Sequence, residues 1–410
     1  MPTFPDDDAS AGAHGHRRPT ALVLTGGGAR AAYQVGVLGA ILEILDPQSR
    51  PGFPNPFPII CGTSAGAVNA AALACRTDRP HLAVRRMRRL WSSLETGMVY
   101  RADTPGLVGT GVRWLGLLSL GWMMTNKARK RPQCLLDNAP LADLLGRTLN
   151  FNRLRHNLQR GRLSALAITA SGYTSGEHLT FYQSNRPIEP WHRFLRRAVP
   201  TPIGVDHIMA SSAIPFVFPA HPVEVQGQVE WCGDGSMRQL APISPAIHLG
   251  AERVLVIGTS YHDETHPEQR DEAPPYPSLA QVGGHTLSSI FLDSLSMDLE
   301  RLQRTNRLLD QMGRREDPAM NLRRVDVLAI TPSQSLDLLA LEHLQAMPAQ
   351  ARTLFRVLGV SSDPSRQGGG ALMSYLLFES AYTQRLIDLG YADTMRRIDE
   401  VVTFFEEARA

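Results

Sequence analysis

Three short stretches carry residue types that can act together on a carbonyl group. Ser64 sits in Cys61-Gly62-Thr63-Ser64-Ala65-Gly66, a G-x-S-x-G that follows the apolar run Phe57-Pro58-Ile59-Ile60 and precedes small residues running from Ala67 to Cys75. That order reads as strand, sharp turn and helix. Gly62 and Gly66, two residues either side, let strand and helix approach closely and leave the serine hydroxyl at the apex. Such a hydroxyl is a nucleophile once a base takes its proton. The plainer reading of the same residues is a small-residue turn with Ser64 as a helix N-cap.

Asp234 lies between Gly233 and Gly235. A carboxylate there is either a turn residue bonded to its own backbone or a base brought to Ser64 by a loop with room to approach. Thr25-Gly26-Gly27-Gly28-Ala29-Arg30 follows the apolar run from Ala21 to Leu24 and opens a helical pattern through Tyr33, Val37, Leu38, Ile41, Leu42 and Leu45. Glycine N–H groups at a helix start receive negative charge. The loop lacks the G-K-[ST] ending of a phosphate-binding P-loop and the third glycine of G-x-G-x-x-G. Beside a phosphate cradle for a nucleotide, which those departures weaken, the other reading is an oxyanion hole facing Ser64, with the N–H groups of Gly27 and Gly28 as donors. A histidine base is the alternative to Asp234, and His207, His221 and His248 are its nearest neighbours in sequence.

The elements that must position these groups alternate between strand and helix patterns, as in an α/β domain. Further strands are expected at 163–170, 179–182, 254–258 and 325–330. A helix over 281–312 is expected as the crossover between the last two, which makes them parallel. The small-residue helix at 209–214 stops at Pro215. Beyond the sheet, helical patterns over 336–358 and 372–389 remain, with Gly390 expected as a helix cap. The organisation is thus a leader at 1–19, an α/β catalytic domain at 20–331 and a C-terminal helical extension at 332–410.

Composition narrows the function classes. Among 410 residues, 43% are hydrophobic and 20% charged, ordinary for a globular protein that buries a sizeable core. A formal charge of +3 lacks the basic surface of a nucleic-acid binder, so no nucleic-acid partner is expected. The four cysteines, Cys61, Cys75, Cys134 and Cys232, are scattered without metal-ligand spacing and read as reduced thiols of a cytosolic protein. No metal or cofactor is expected. Residues 1–19 lack the apolar core of a secretory signal. Residues 106–131 hold Trp114 and Trp122 ahead of Lys127, Arg129, Lys130 and Arg131. Its uninterrupted apolar part is too short and too glycine-rich to span a bilayer, and Arg113 lies inside the longer stretch. It reads as a buried hairpin, a lid over an acyl site or a peripheral membrane contact.

Gly26-Gly27-Gly28-Ala29-Arg30, Gly62-Thr63-Ser64-Ala65-Gly66, Ala210-Ser211-Ser212-Ala213-Ile214-Pro215 and Asp234-Gly235, in that order, resemble the patatin-like phospholipase family. The resemblance implies a three-layer α/β/α sandwich with a mostly parallel central sheet and hydrolysis of acyl esters in phospholipids, lysophospholipids or other lipids. It implies a Ser-Asp dyad of Ser64 and Asp234, with Gly26, Gly27, Gly28 and Arg30 as the oxyanion region. Many members carry glycine after the arginine, where this chain has Ala31. Transfer of the acyl group to an alcohol and a membrane-associated binding role are the competing functions. The sequence does not fix the oligomeric state.

Overall fold

The computed structural model describes residues 18–101, 134–261, 276, 278–291, 293–313, 316–317, 322–357, 360 and 369–406. The stretch 106–131, with Trp114, Trp122 and its basic cluster, lies outside the described residues, as does all of the leader except its last two positions.

Ten strands form one mixed sheet: β1 Thr20–Leu24, β2 Ile59–Thr63, β3 Ala165–Gly172, β4 His178–Ser184, β5 His192–Arg193, β6 Arg196–Pro200, β7 His221–Val225, β8 Gln228–Asp234, β9 Arg253–Ile257 and β10 Asp326–Ile330. Their order is β10-β9-β1-β2-β3-β4-β6-β5, with β8 paired to β3 and β7 to β8. From β10 to β3 every neighbouring pair is parallel, while β4, β5 and β8 introduce antiparallel pairs.

Side chains of the buried parallel strands alternate between the two faces. Leu22, Leu24, Ile60, Leu166 and Leu255 join one core with helix Ala32–Leu45, helix Ala65–Ala74 and the C-terminal helices. Ala21, Val23, Ile59, Cys61 and Val254 join another with Ala246 and Leu249 beside helix Ser244–His248 and with Leu295 and Leu302 of helix Asp293–Gln311. Two cores on opposite faces of one sheet make the three-layer α/β/α sandwich. Among the described residues, Gly28–Leu45 is the one helical stretch long and apolar enough to cross a membrane, and it is mostly buried within this sandwich.

Four helical expectations need correction. The small-residue helix expected at 209–214 and stopped by Pro215 is Val205–Ser211, ending before the proline. The crossover between β9 and β10 is two helices, Leu279–Phe291 and Asp293–Gln311, the first joining one core and the second the other. The pattern at 336–358 breaks into Leu336–Glu342, a short 3-10 turn and Ala349–Val357. Pro348 explains the break: it forces Met347 into extended backbone (φ −68°, ψ 142°). Gly390 caps nothing. It lies inside helix Ser380–Arg396, and a Cβ there would stand 2.2 Å from the Tyr33 carbonyl, while one on Gly36 would stand 1.9 Å from that of Ile387. The two glycines let this helix cross helix Ala32–Leu45 in backbone contact.

Candidate active site

Parallel strands β2 and β3 run in register as far as Thr63 opposite Thr169. There β2 ends and the chain turns into helix Ala65–Ala74, with Ser64 at φ +54°, ψ −129° between them. The conformation is strained for a residue with a Cβ. Both elbow glycines are needed: a Cβ on Gly62 would meet Ala70 at 2.6 Å, and one on Gly66 would lie 2.3 Å from the Leu24 carbonyl. The Ser64 N–H donates to the Ser211 hydroxyl at 2.8 Å, so helix Val205–Ser211 fixes the turn from the side.

Strand β3 is longer than β2. Beyond Thr169 its vacated edge is taken by β8, which pairs antiparallel with Ala170 opposite Asp234. One strand thus replaces another, and the last residue of β8 arrives one row beyond the last residue of β2. The Ser64 hydroxyl donates to Asp234 Oδ2 at 2.5 Å. Both residues are buried, at 1% and 0% exposure. Burial raises the Asp234 carboxyl from its ordinary 3.8 to about 6, while hydrogen bonds from Ser64 and Ser236 pull it back down. The Ser236 N–H supplies one of these, to Oδ1 at 2.9 Å.

No histidine touches the pair among the described residues. His207 accepts the Gly204 N–H at 3.1 Å, His221 faces Asp206 at 3.1 Å and His248 stacks on Trp191. The histidine nearest in bonding is His178, unremarked in the sequence. Its Nε2 lies 3.0 Å from the Gly235 carbonyl, and burial holds the ring neutral by lowering it to about 4. A neutral ring can make that bond only by donating Nε2–H. His178 therefore positions the loop after Asp234.

Gly28 has φ +56°, and a Cβ on it would stand 2.1 Å from the Tyr375 carbonyl. Gly28 and Ser64 line one small cavity of about 60 Å³, walled by Val68, Leu94, Leu145, Ile214, Phe218 and Phe378. Ser212 lines it too; its hydroxyl is buried, with no hydrogen-bond partner among the described residues. Arg30 is absent from this lining. Its guanidinium, 2% exposed, donates to the Ser374 hydroxyl at 2.9 Å, pairs with Asp337 and lies 3.9 Å from the Tyr375 ring centroid. Burial alone would lower its pKa, but Tyr375 and Asp337 outweigh that and raise it. Its own N–H closes the loop onto the Gly27 carbonyl at 3.1 Å. The structure thus gathers Ser64, Asp234 and Gly28 and turns the Arg30 side chain toward the C-terminal helices. Among the described residues no three of His, Cys, Asp and Glu gather as metal ligands do.

Residues 22–247, more than half of the chain, match the Patatin-like phospholipase family. No curated protein matches the sequence. Among solved structures, human GIVD cytosolic phospholipase A2 in complex with methyl gamma-linolenyl fluorophosphonate is similar over 96% of this chain and 60% of its own length, at 13% identity and a TM-score of 0.45. VipD from Legionella pneumophila is similar over 91% of this chain and 67% of its own, at 14% identity and 0.29. The type III effector ExoU is similar over 90% and 53%, at 15% identity and 0.29.

Proposed function

We propose that this chain, which belongs to the patatin-like phospholipase family, hydrolyses lipid acyl esters through a covalent acyl intermediate on Ser64, with Asp234 as the base. The observation that carries this reading is the buried hydrogen bond of 2.5 Å from the Ser64 hydroxyl to Asp234, at the wall of an apolar cavity and away from any described histidine.

Each step balances. Ser64 Oγ attacks the ester carbonyl carbon as its proton passes to Asp234 Oδ2, and the carbonyl electron pair moves onto oxygen. The tetrahedral oxyanion collapses, the bond to the leaving alkoxide breaks, and Asp234 returns the proton to it. Water then repeats the sequence on the acyl-enzyme, with Asp234 taking its proton, and releases the acid and free Ser64. A solvated carboxylate is a weak base for this work. A carboxyl raised to about 6 is ionised at neutral pH and closer to the operating range. The N–H groups of Gly27 and Gly28 meet the oxyanion, and losing one such donor typically costs about 2.7–4 kcal/mol of transition-state stabilisation. The apolar walls favour an acyl chain over a polar substituent. Their present volume is well below the roughly 300–1,000 Å³ of ligand pockets, so binding must widen the cavity.

The test is labelling with a fluorophosphonate probe, followed by product analysis on a panel of lipid esters with and without an added alcohol acceptor. Wild type should label and release free acid, Ser64→Ala should not label, and Asp234→Asn should label slowly. Labelling that survives Ser64→Ala overturns the assignment. An acyl-alcohol product in place of acid makes the same intermediate that of a transferase.

A further inference from the structure

A second concavity lies beside the catalytic one. It is a groove of about 730 Å³ between helix Pro80–Ser92, the end of helix Ala139–Thr148 and the outer face of helix Ala65–Ala74. That size is within the range of small-molecule sites. Val68, Leu90 and Trp91 line both the groove and the Ser64 cavity, so the two are separated by side chains alone. Ala72 and Met87 continue the apolar wall along the groove.

Three arginines also line it, each from a different segment: Arg76 just past helix Ala65–Ala74, Arg86 on helix Pro80–Ser92 and Arg147 on helix Ala139–Thr148. Helix Ala65–Ala74 spans about 15 Å, with Ser64 just before its start and Arg76 two residues past its end. Among the described residues no side-chain hydrogen bond or ion pair engages the guanidinium of any of the three arginines. The carboxylate next to Arg76 in sequence, Asp78, has both oxygens bound to Arg153 at 2.6 and 2.7 Å. Partial burial, then Arg86 and Arg153, lower the pKa of Arg76 and outweigh the opposing pull of Asp78 and Cys75. A solvated helix face would account for Arg86 alone. It does not account for cations from three segments on one concave surface that is apolar toward the nucleophile.

We propose that this groove binds a long-chain carboxylate, with its chain along Val68, Ala72, Met87, Leu90 and Trp91 and its head group on Arg76, Arg86 and Arg147. Charge complementarity and the length of the apolar wall select a single-chain anionic amphiphile. The acid released at Ser64 is such a molecule, and its collection here as product rests on the hydrolase reading. The binding itself does not.

The experiment is calorimetry on the full-length Ser64→Ala protein, which removes turnover, with tetradecanoate, dodecanoate and tetradecanol as probes. The acid should bind at least tenfold tighter than the alcohol of equal length and lose affinity as salt rises. Each added methylene should tighten binding about fourfold while apolar wall remains. The Arg86→Gln, Arg147→Gln pair should weaken the acid about tenfold and leave the alcohol unchanged, with melting temperature confirming the fold. Equal affinity for acid and alcohol, which needs no arginine variant to measure, overturns the proposal. So does acid binding that survives the double replacement in folded protein. Failure of the hydrolase reading shows separately, as absent labelling of Ser64 in the wild type.

Discussion

Replacing the base should make the protein more stable, and by an amount that depends on pH. The Asp234 carboxyl is fully buried and raised from 3.8 to about 6. At 1.36 kcal/mol per tenfold change in proton affinity, that rise is about 3 kcal/mol of preference for the neutral form in the folded protein. Below pH 4 both folded and unfolded chains hold the proton. Between about 4 and 6 the unfolded chain has released it and the folded one has not, so stability falls as pH rises through this window. Above about 6 the loss is complete. Asparagine has the same shape, stays neutral at every pH and can satisfy both neighbours: its oxygen accepts the Ser236 N–H and its amide donates to Ser64 Oγ. The Asp234→Asn protein should therefore match the wild type near pH 4, gain on it up to pH 6 and stay about 3 kcal/mol more stable beyond. Thermal melting of the two proteins at intervals from pH 4 to 8 measures the gap. A gap that does not change with pH, or a wild type more stable at pH 7, refutes the claim that the buried carboxylate is held ionised at a cost to the fold.

Under the proposed mechanism the same carboxyl should govern turnover. With a water-soluble ester, kcat/KM should rise with pH to a plateau with a midpoint near 6, because only the ionised form accepts the Ser64 proton; a profile unchanged by Asp234→Asn would assign the limb to another group. Ser212→Ala removes a buried hydroxyl without a described partner, so melting temperature should hold or rise while kcat/KM falls about tenfold; a fall in both marks the hydroxyl as structural. Gly28→Ala places a Cβ in the Tyr375 carbonyl at positive φ and should cost at least about 1–3 kcal/mol and most of the fluorophosphonate labelling; wild-type melting and labelling would show the loop free to move. Arg30→Lys keeps the charge and loses the fork that reaches Ser374 and Asp337 together, so melting and labelling should fall nearly as far as in Arg30→Gln, and full rescue by lysine would show that charge alone matters.

How far the site was legible depended on the range of the contacts that make it. The Ser64 elbow is local, and strand, glycines and small-residue helix lie within about fifteen positions. Asp234 was legible as a carboxylate between glycines. Its meeting with Ser64 was an expectation that the family resemblance carried and spacing alone did not, because it depends on β8 occupying the edge of β3 that β2 gives up, with the two residues 170 positions apart. Hydrophobic period located the helices at 281–312, 336–358 and 372–389 but not their breaks, the last between Gly370–Leu376 and Ser380–Arg396, since a buried helix can turn a corner without losing apolar spacing. Gly390 misled for a related reason: the terminus of one helix and the close crossing of two both call for a missing Cβ. Ser212 was legible only as part of the motif at 210–215 and not as a cavity residue, and His178 gave no signal, because the cavity and the carbonyl they meet come from other elements.

Arg30 shows what that range does to the interpretation of a motif. Its place directly after the glycines suggests a donor for the oxyanion, yet its partners Asp337 and Ser374 lie 307 and 344 residues away. Tyr375 stacks on the same guanidinium and lends its carbonyl to the space a Gly28 side chain would fill. One turn of the helix Gly370–Leu376 thus presses the glycine loop from outside and clamps the arginine that closes it. Strained backbone persists only where its surroundings over-determine it. At Ser64 those surroundings come from helix Val205–Ser211 and the β3–β8 pairing, and at Gly28 from helices after the sheet is complete. The Gly28 loop and Ser64, the proposed oxyanion donor and nucleophile, are therefore held by different parts of the chain, and their alignment depends on packing that no single motif contains.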